Sequence, residues 1–253
     1  MDREDILKSL SENLRIDGRK LLETRKIEVE YGISKNAEGS ARVRFGGTEV
    51  LAGVKLAVGT PYADRPNEGS MMVEAELSPM SNPEFEAGPP DIQAVELARV
   101  VDRGIRESKA IDVKKLCIKE GEKCWLVCID IVTINDEGNL IDASSLAALA
   151  ALKNAVFPKL DGENIDYKSK TTKKLPLTNE PISVTVCKIG SNFIVDPLTT
   201  EEKLIDARLT IASTDKKLCS LQKGGNVPIS IEDIDKMVEI GMKTADDLRK
   251  VLE

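Results

Sequence analysis

The stretch from Lys123 to Pro158 constrains this chain most. Its core, Trp125-Leu126-Val127-Cys128-Ile129-Asp130-Ile131-Val132, is an almost unbroken apolar run, the pattern of a strand covered on both faces. We expect that strand over Lys123 to Asn135, then a turn at Asp136-Glu137-Gly138-Asn139, then a helix from Asp142 to Val156. Six alanines between Ala143 and Ala155 let this helix approach its neighbours closely, which suits a central element. Asp142 or Ser144 could cap its start. A turn running into a helix often cradles an anion, because free backbone N–H groups converge there. Here the next residues are Leu140 and Ile141, and neither side chain can hold a phosphate.

The sequence contains no histidine, which removes Ser-His-Asp and Cys-His nucleophiles, histidine metal sites and imidazole acid–base chemistry together. The five cysteines (Cys117, Cys124, Cys128, Cys187, Cys219) show no C-x-x-C spacing and read as reduced, buried small hydrophobes. Cys124 and Cys128 share one face of their strand. Aromatic residues make up only 3% of the chain, so the core must be built from Val, Ile, Leu and Ala. A net charge of −7 means that any nucleic-acid site must be a local basic patch. With neither a signal peptide nor an apolar run of about 20 residues, the expectation is a cytoplasmic protein that does not span a membrane.

In chain order, residues 2 to about 14 read as an amphipathic helix with Ile6, Leu7, Leu10 and Leu14 on one face. Arg15-Ile16-Asp17-Gly18-Arg19, with Glu23 and Arg25 beyond it, reads locally as a solvated charged turn. Strands are expected over Lys26 to Tyr31, Ser40 to Phe45 and Glu49 to Val58, the last two joined in a hairpin at Gly46-Gly47 and the third central in its sheet. A polar loop (Gly59 to Asn67) precedes a strand at Ser70 to Leu77. The proline-rich span Ser78 to Pro90 is irregular.

Residues 91 to about 108 form a two-faced helix. Ala94, Leu97, Ala98, Val101 and Ile105 recur at helical spacing and face the core. Arg99, Arg103 and Arg106 project from the other side. They are either a solvated face stitched by Glu96–Arg99 and Arg103–Glu107 pairs or a stripe that grips phosphates. Asp112 to Ile118 reads as a strand.

After Pro158, a polar link (Leu160 to Thr172) suggests a boundary between halves 1–160 and 161–253, packed as one globular unit. Strands follow at Ile182 to Ile189, Phe193 to Val195, Ala207 to Ala212 and Leu218 to Gln222. A closing helix starts at Ser230, with Asp233 three residues on. No P-loop, dinucleotide fingerprint or metal-ligand cluster is present. Asp196, Glu201, Glu202 and Asp206 form the best carboxylate group, of a kind that is usually solvated. The residues alone therefore describe an α+β protein with an arginine stripe and no assembled catalytic constellation.

Arg15-Ile16-Asp17-Gly18-Arg19 with Glu23 and Arg25, Gly39-Ser40-Ala41, and Gly47-Thr48-Glu49-Val50-Leu51-Ala52 resemble the N-terminal signature of RNase PH-type phosphorolytic exoribonucleases. The Gly138 turn, the alanine-rich helix, the late bend and the Gln222-to-Gly225 turn extend the likeness over nearly the whole chain. Phe85-Glu86-Ala87-Gly88-Pro89-Pro90, Ala98-Arg99-Val100-Val101-Asp102-Arg103 and Leu140-Ile141-Asp142-Ala143-Ser144 look like the catalytically silent RNase PH-like subunits of archaeal exosomes. The fold implied is the RNase PH fold (ribosomal protein S5 domain 2-like), with mixed sheets packed against helices.

Departures from active members carry the functional expectation. Where those members place an Arg followed by Ser or Thr to bind phosphate, this chain has Leu140 and Ile141, and an aliphatic side chain cannot replace a guanidinium fork. Their Arg-Arg pair aligns with Ile92 and Gln93. Their catalytic Asp aligns with Arg208, or with Asp206 if the register slips.

The resemblance thus implies no catalytic residue, metal or cofactor in this chain. Inorganic phosphate would be the co-substrate of a catalytic sister subunit, which pairs with this one so that three heterodimers close a hexameric ring carrying RNA-binding cap subunits. The ring's reaction is 3′-to-5′ phosphorolysis of RNA, and this chain would structure its partner's active site. Arg99 and Arg103, with Arg106 a weaker match, would contact single-stranded RNA independently of sequence. The alternatives are a self-sufficient phosphorolytic exoribonuclease using Asp206 or Asp196, and a stand-alone RNA-binding module.

Overall fold

The computed structural model describes residues 3–161, 164–215 and 217–252. Its first half runs α1 (Arg3–Ser11), β1 (Ile27–Tyr31), β2 (Gly39–Phe45), β3 (Thr48–Gly59), β4 (Ser70–Glu76), α2 (Ile92–Glu107), β5 (Cys117–Lys119), β6 (Lys123–Asn135) and α3 (Leu140–Asn154). Then come β7 (Val156–Asp161), β8 (Asn164–Lys174), β9 (Ile182–Ile189), β10 (Asn192–Val195), α4 (Thr199–Glu202), β11 (Ala207–Thr214), β12 (Lys217–Gly224) and α5 (Ile231–Arg249). This is the expected α+β architecture. One mixed sheet has the order β1-β2-β3-β6-β4, with β5 on the end of β6, and β4 alone runs parallel to its neighbour. The second sheet, β10-β9-β11-β12, is antiparallel throughout. No described helix is long and apolar enough to cross a membrane.

Alternation sets the first sheet's buried face. Val43 pairs with Val50, Ala52 with Ile131 and Val54 with Ile129, and all six are buried. Onto that face packs α3, buried from Asp142 to Leu152; it also touches β9 and so lies between the two sheets. The alanines allow the approach. At Gly39 of the sequence signature, a Cβ would stand 2.3 Å from the Ala151 carbonyl oxygen, so a residue with a side chain would push α3 away. The hairpin at Gly46-Gly47 and the mid-sheet place of β3 match expectation.

Several local readings need correction. On β6, Trp125, Val127, Ile129 and Ile131 are buried, but Leu126, Cys128 and Val132 are half-buried and Asp130 is exposed, so only one face is covered within this chain. An apolar run looks the same whether its second face meets this chain or another. Cys124 and Cys187 are buried, whereas Cys117, Cys128 and Cys219 are half-buried; all are free thiols. The strand expected at Asp112 to Ile118 is instead a 3₁₀ turn, Val113–Leu116, running into the short β5. In place of the polar link, β7 and β8 pair as an antiparallel ribbon. At the N-terminus, Ile6 and Leu10 pack on Cys187, Ile189 and Ile194, but Leu14 lies past the helix end and is exposed; residue 2 is outside the described residues.

Helix α3 begins at Leu140, two residues before the expected start, and neither Asp142 nor Ser144 caps it. Gly138 (φ 95) and Asn139 (φ 63) are both left-handed, which turns the chain sharply from β6 into the helix. A Cβ at Gly138 would lie 2.4 Å from the Pro197 carbonyl oxygen, so the turn and the bend after β10 are in direct contact.

Candidate functional site

The charged N-terminal turn is solvated only in part: Asp17, Gly18 and Glu23 are exposed, but its arginines turn inward. Arg15 is buried and ion-paired with Glu201, with its Nε 3.0 Å from Glu201 Oε1; its other nitrogens donate to the Val195 and Asp196 carbonyls at 2.9 and 2.8 Å. Asp196 is only 1% exposed and left-handed (φ 49). Its carboxylate accepts from Arg19 Nη1 at 2.8 Å, from Arg25 Nη2 at 2.6 Å and from Asn139 Nδ2 at 3.0 Å. Arg25 also donates to the Gly138 carbonyl at 3.0 Å. Burial alone would raise the Asp196 pKa, but hydrogen bonds and charge from Arg25, joined by Arg19, hold it below the usual carboxylate range. The signature arginines therefore brace the turn ahead of α3, and their charge is spent inside the protein.

That turn forms one wall of a cleft of about 670 Å³. Gln93, Leu140, Ile141 and Arg208, which lie far apart in the chain, all line it. These are the positions at which the resemblance reads losses; Ile92, next to Gln93, instead points outward at 84% exposure. Arg208 Nη2 bonds Glu96 Oε2 at 2.9 Å, and Lys203 Nζ bonds Glu84 Oε1 at 2.6 Å. Both cations of the lining are thus paired, while Asp136 and Glu202 add two further carboxylates. At the head of α3, Glu202 Oε1 accepts from the Asn139 backbone N–H at 2.8 Å, so an anion of this chain already holds that donor. Glu202 faces the open cleft, yet the surrounding protein desolvates it enough to push its carboxyl up to about 7, with repulsion from Asp136 adding to the effect. Asp142, in the first turn of α3, is pushed up to about 7 by complete burial, although Thr185 donates to it from N and Oγ1 at 3.0 and 2.7 Å.

The remaining candidate acids do not enter this cleft. Asp206 accepts from the Gly190 N–H at 2.7 Å, and Asp196 is enclosed by its arginines. Glu201 is buried against Arg15. Among the described residues the cleft thus combines two ion-paired cations, two carboxylates with no cation partner and aliphatic groups at the helix head.

Along α2, Val95, Arg99 and Arg103 share one exposed face with Ile92. The expected Glu96–Arg99 pair does not form, because Glu96 turns into the cleft to meet Arg208; Arg99 has no carboxylate partner among the described residues. Arg103 reaches Glu107 only at 3.8 Å, with both side chains half open to water. Arg106 is more committed: it forks onto Asp102 at 2.6 and 2.9 Å and donates to the Met71 carbonyl at 3.0 Å. The role of Glu96 had no local signal, since its partner lies 112 residues away.

Residues 23–158 match domain 1 of the 3′ exoribonuclease family (RNase PH), and residues 179–244 match its domain 2. The chain is 43% identical over 256 residues to the exosome complex component Rrp42 of Methanopyrus kandleri, covering 99% of this chain and 95% of that one. Against the same component from Archaeoglobus fulgidus, identity is 44% over 249 residues, with 98% and 94% covered. Among solved structures, a chain of the Archaeoglobus fulgidus exosome with RNA bound to the active site superposes with TM-score 0.92 at 43% identity, over 99% of this chain and 97% of that one. Rice Rrp46, at 19% identity and TM-score 0.71 over 94% and 98% of the two chains, shares the fold.

Proposed function

The chain belongs to the RNase PH family of 3′ exoribonucleases, and on that premise we propose that it is the non-catalytic RNase PH-like subunit of an archaeal exosome. It pairs with a catalytic sister subunit, three such pairs close a hexameric ring with RNA-binding caps, and the assembly degrades RNA in the cytoplasm from the 3′ end by phosphorolysis. The attacking inorganic phosphate binds in the partner's site. This chain shapes that site and holds the RNA through Arg99 and Arg103.

One observation carries the reading. Gln93, Leu140, Ile141 and Arg208 converge on a single cleft whose two cations are already paired with Glu96 and Glu84. Phosphorolysis needs several phosphates held and neutralised together, and among the described residues this cleft has no free cation to do so. By contrast, Arg99 has no ion pair among the described residues and stands on a face that also exposes Ile92 and Val95, a mixture of charge and apolar surface suited to a partner and a polyanion. Co-expression with the catalytic subunit tests the proposal. A stable mixed complex that consumes an RNA tail only when phosphate is supplied supports it. A chain that stays monomeric beside that subunit contradicts it.

A further inference from the structure

A second groove, of about 580 Å³, opens between the β3–β4 loop and the C-terminal end of α2. Arg65, Arg106, Lys109 and Lys114 line it against two carboxylates, Glu68 and Asp112, on a chain whose net charge is −7. Asp112 is taken by Lys115 at 3.1 Å, and Arg106 is fixed by Asp102. Lys109 and Lys114 are exposed and have no ion pair among the described residues.

The backbone adds an independent mark. Helix α2 ends with the Ala110 N–H bonded to the Ile105 carbonyl at 3.1 Å and the Lys109 N–H bonded to the Arg106 carbonyl at 3.0 Å. In that ending the left-handed residue is usually glycine. Here it is Lys109, at φ 52, so a strained position carries a cation. At the same rim Tyr62 is 69% exposed, in a chain with only 3% aromatic residues. The negative end of the α2 dipole would account for Arg106 and Lys109. It does not call for Arg65, Lys114 or a solvent-facing phenol.

We propose that this groove is a further contact for single-stranded RNA, in which Arg65, Lys109 and Lys114 meet backbone phosphates and a base stacks on Tyr62. The proposal rests on the reading of the chain as an RNA-handling subunit. Arg99 and Arg106 are about 10 Å apart along α2, so the groove continues the exposed arginine row. A strand held by that row reaches the groove within a few nucleotides.

The test uses the chain assembled with its catalytic partner and a fluorescent oligoadenylate titrated across a salt series. Lys109→Ala with Lys114→Ala should weaken binding and flatten the dependence of log affinity on log salt by about 1.4, or about 0.7 for each lost phosphate contact. Tyr62→Ala should weaken it roughly five-fold or more, and Tyr62→Phe should restore it, since stacking needs the ring and not the hydroxyl. Thiouridine-bearing RNA irradiated on the unsubstituted complex should cross-link to the peptide containing Tyr62, a readout independent of how any variant folds. Wild-type affinity and slope in these variants, or no adduct on that peptide, while Arg99→Glu with Arg103→Glu still weakens binding, overturns the groove alone. Indifference of the arginine variant as well overturns the RNA-handling reading and the groove with it.

Discussion

Arg208 and Glu96 meet across the cleft, Nη2 to Oε2, at 2.9 Å. The position that the family resemblance assigns to a catalytic acid thus holds a base, and that base is held by a carboxylate from α2. Arg208→Asp should create like-charge repulsion with Glu96 and lower stability on the order of 1 kcal/mol, because both groups are partly open to water. It should not generate phosphorolysis, since Leu140 and Ile141 still offer a phosphate nothing. Thermal melts and an assay for released nucleoside diphosphate check the two halves of this prediction.

Arg15 and Glu201 form a pair without solvent access. Removing either partner leaves the other charge buried and uncompensated. Arg15→Ala should therefore destabilise the chain by about 3–5 kcal/mol in denaturant unfolding. Glu201→Ala should do much the same, and the double variant should fall well short of the sum, because the two residues share one interaction.

Arg99→Glu with Arg103→Glu should weaken RNA binding by the assembled complex without dissolving it. The salt dependence should flatten by at least about 1.4, the contribution of two lost phosphate contacts on a single strand. Binding at several salt concentrations, with light scattering to confirm the intact assembly, reads both effects.

Glu202 gives a pH prediction of definite sign. Its carboxyl is pushed from an ordinary 4.5 up to about 7 in the folded protein. Between those values the folded state holds more protons than the unfolded chain, so stability falls as pH rises through that window. Glu202→Gln keeps an acceptor for the Asn139 N–H and removes the titration. It should flatten this part of the profile and gain on the order of 1 kcal/mol at pH 8, an amount tempered by solvent screening in the open cleft. Chemical denaturation from pH 4 to 8 provides the comparison.

Much of the fold was legible because local pattern and tertiary role agree. The hairpin at Gly46-Gly47, the central β3 and the small-residue character of α3 all follow from spacing and side-chain size. Local pattern misleads where a partner distant in sequence decides. Arg15-to-Arg19 reads as a solvated turn until the bend at Asp196 folds over it, and Glu96 reads as a mate for Arg99 until β11 brings Arg208 beside it. The start of α3 carries no local cap signal because Asn139 enters the helix through a left-handed turn, with its side chain engaged on Asp196 and capping no backbone N–H of the helix. Family signatures mark Leu140, Ile141, Gln93 and Arg208 one by one; their convergence on one cleft is a property of the folded chain.

The most direct measurement is made on the purified chain without its partner. Incubated with an adenylate tail and radiolabelled orthophosphate, it should yield no labelled nucleoside diphosphate at any phosphate concentration, and label should appear once the catalytic subunit is added. Labelled diphosphate from the chain alone would contradict the account, since it would require the cleft beside Leu140 and Ile141 to seat the attacking anion.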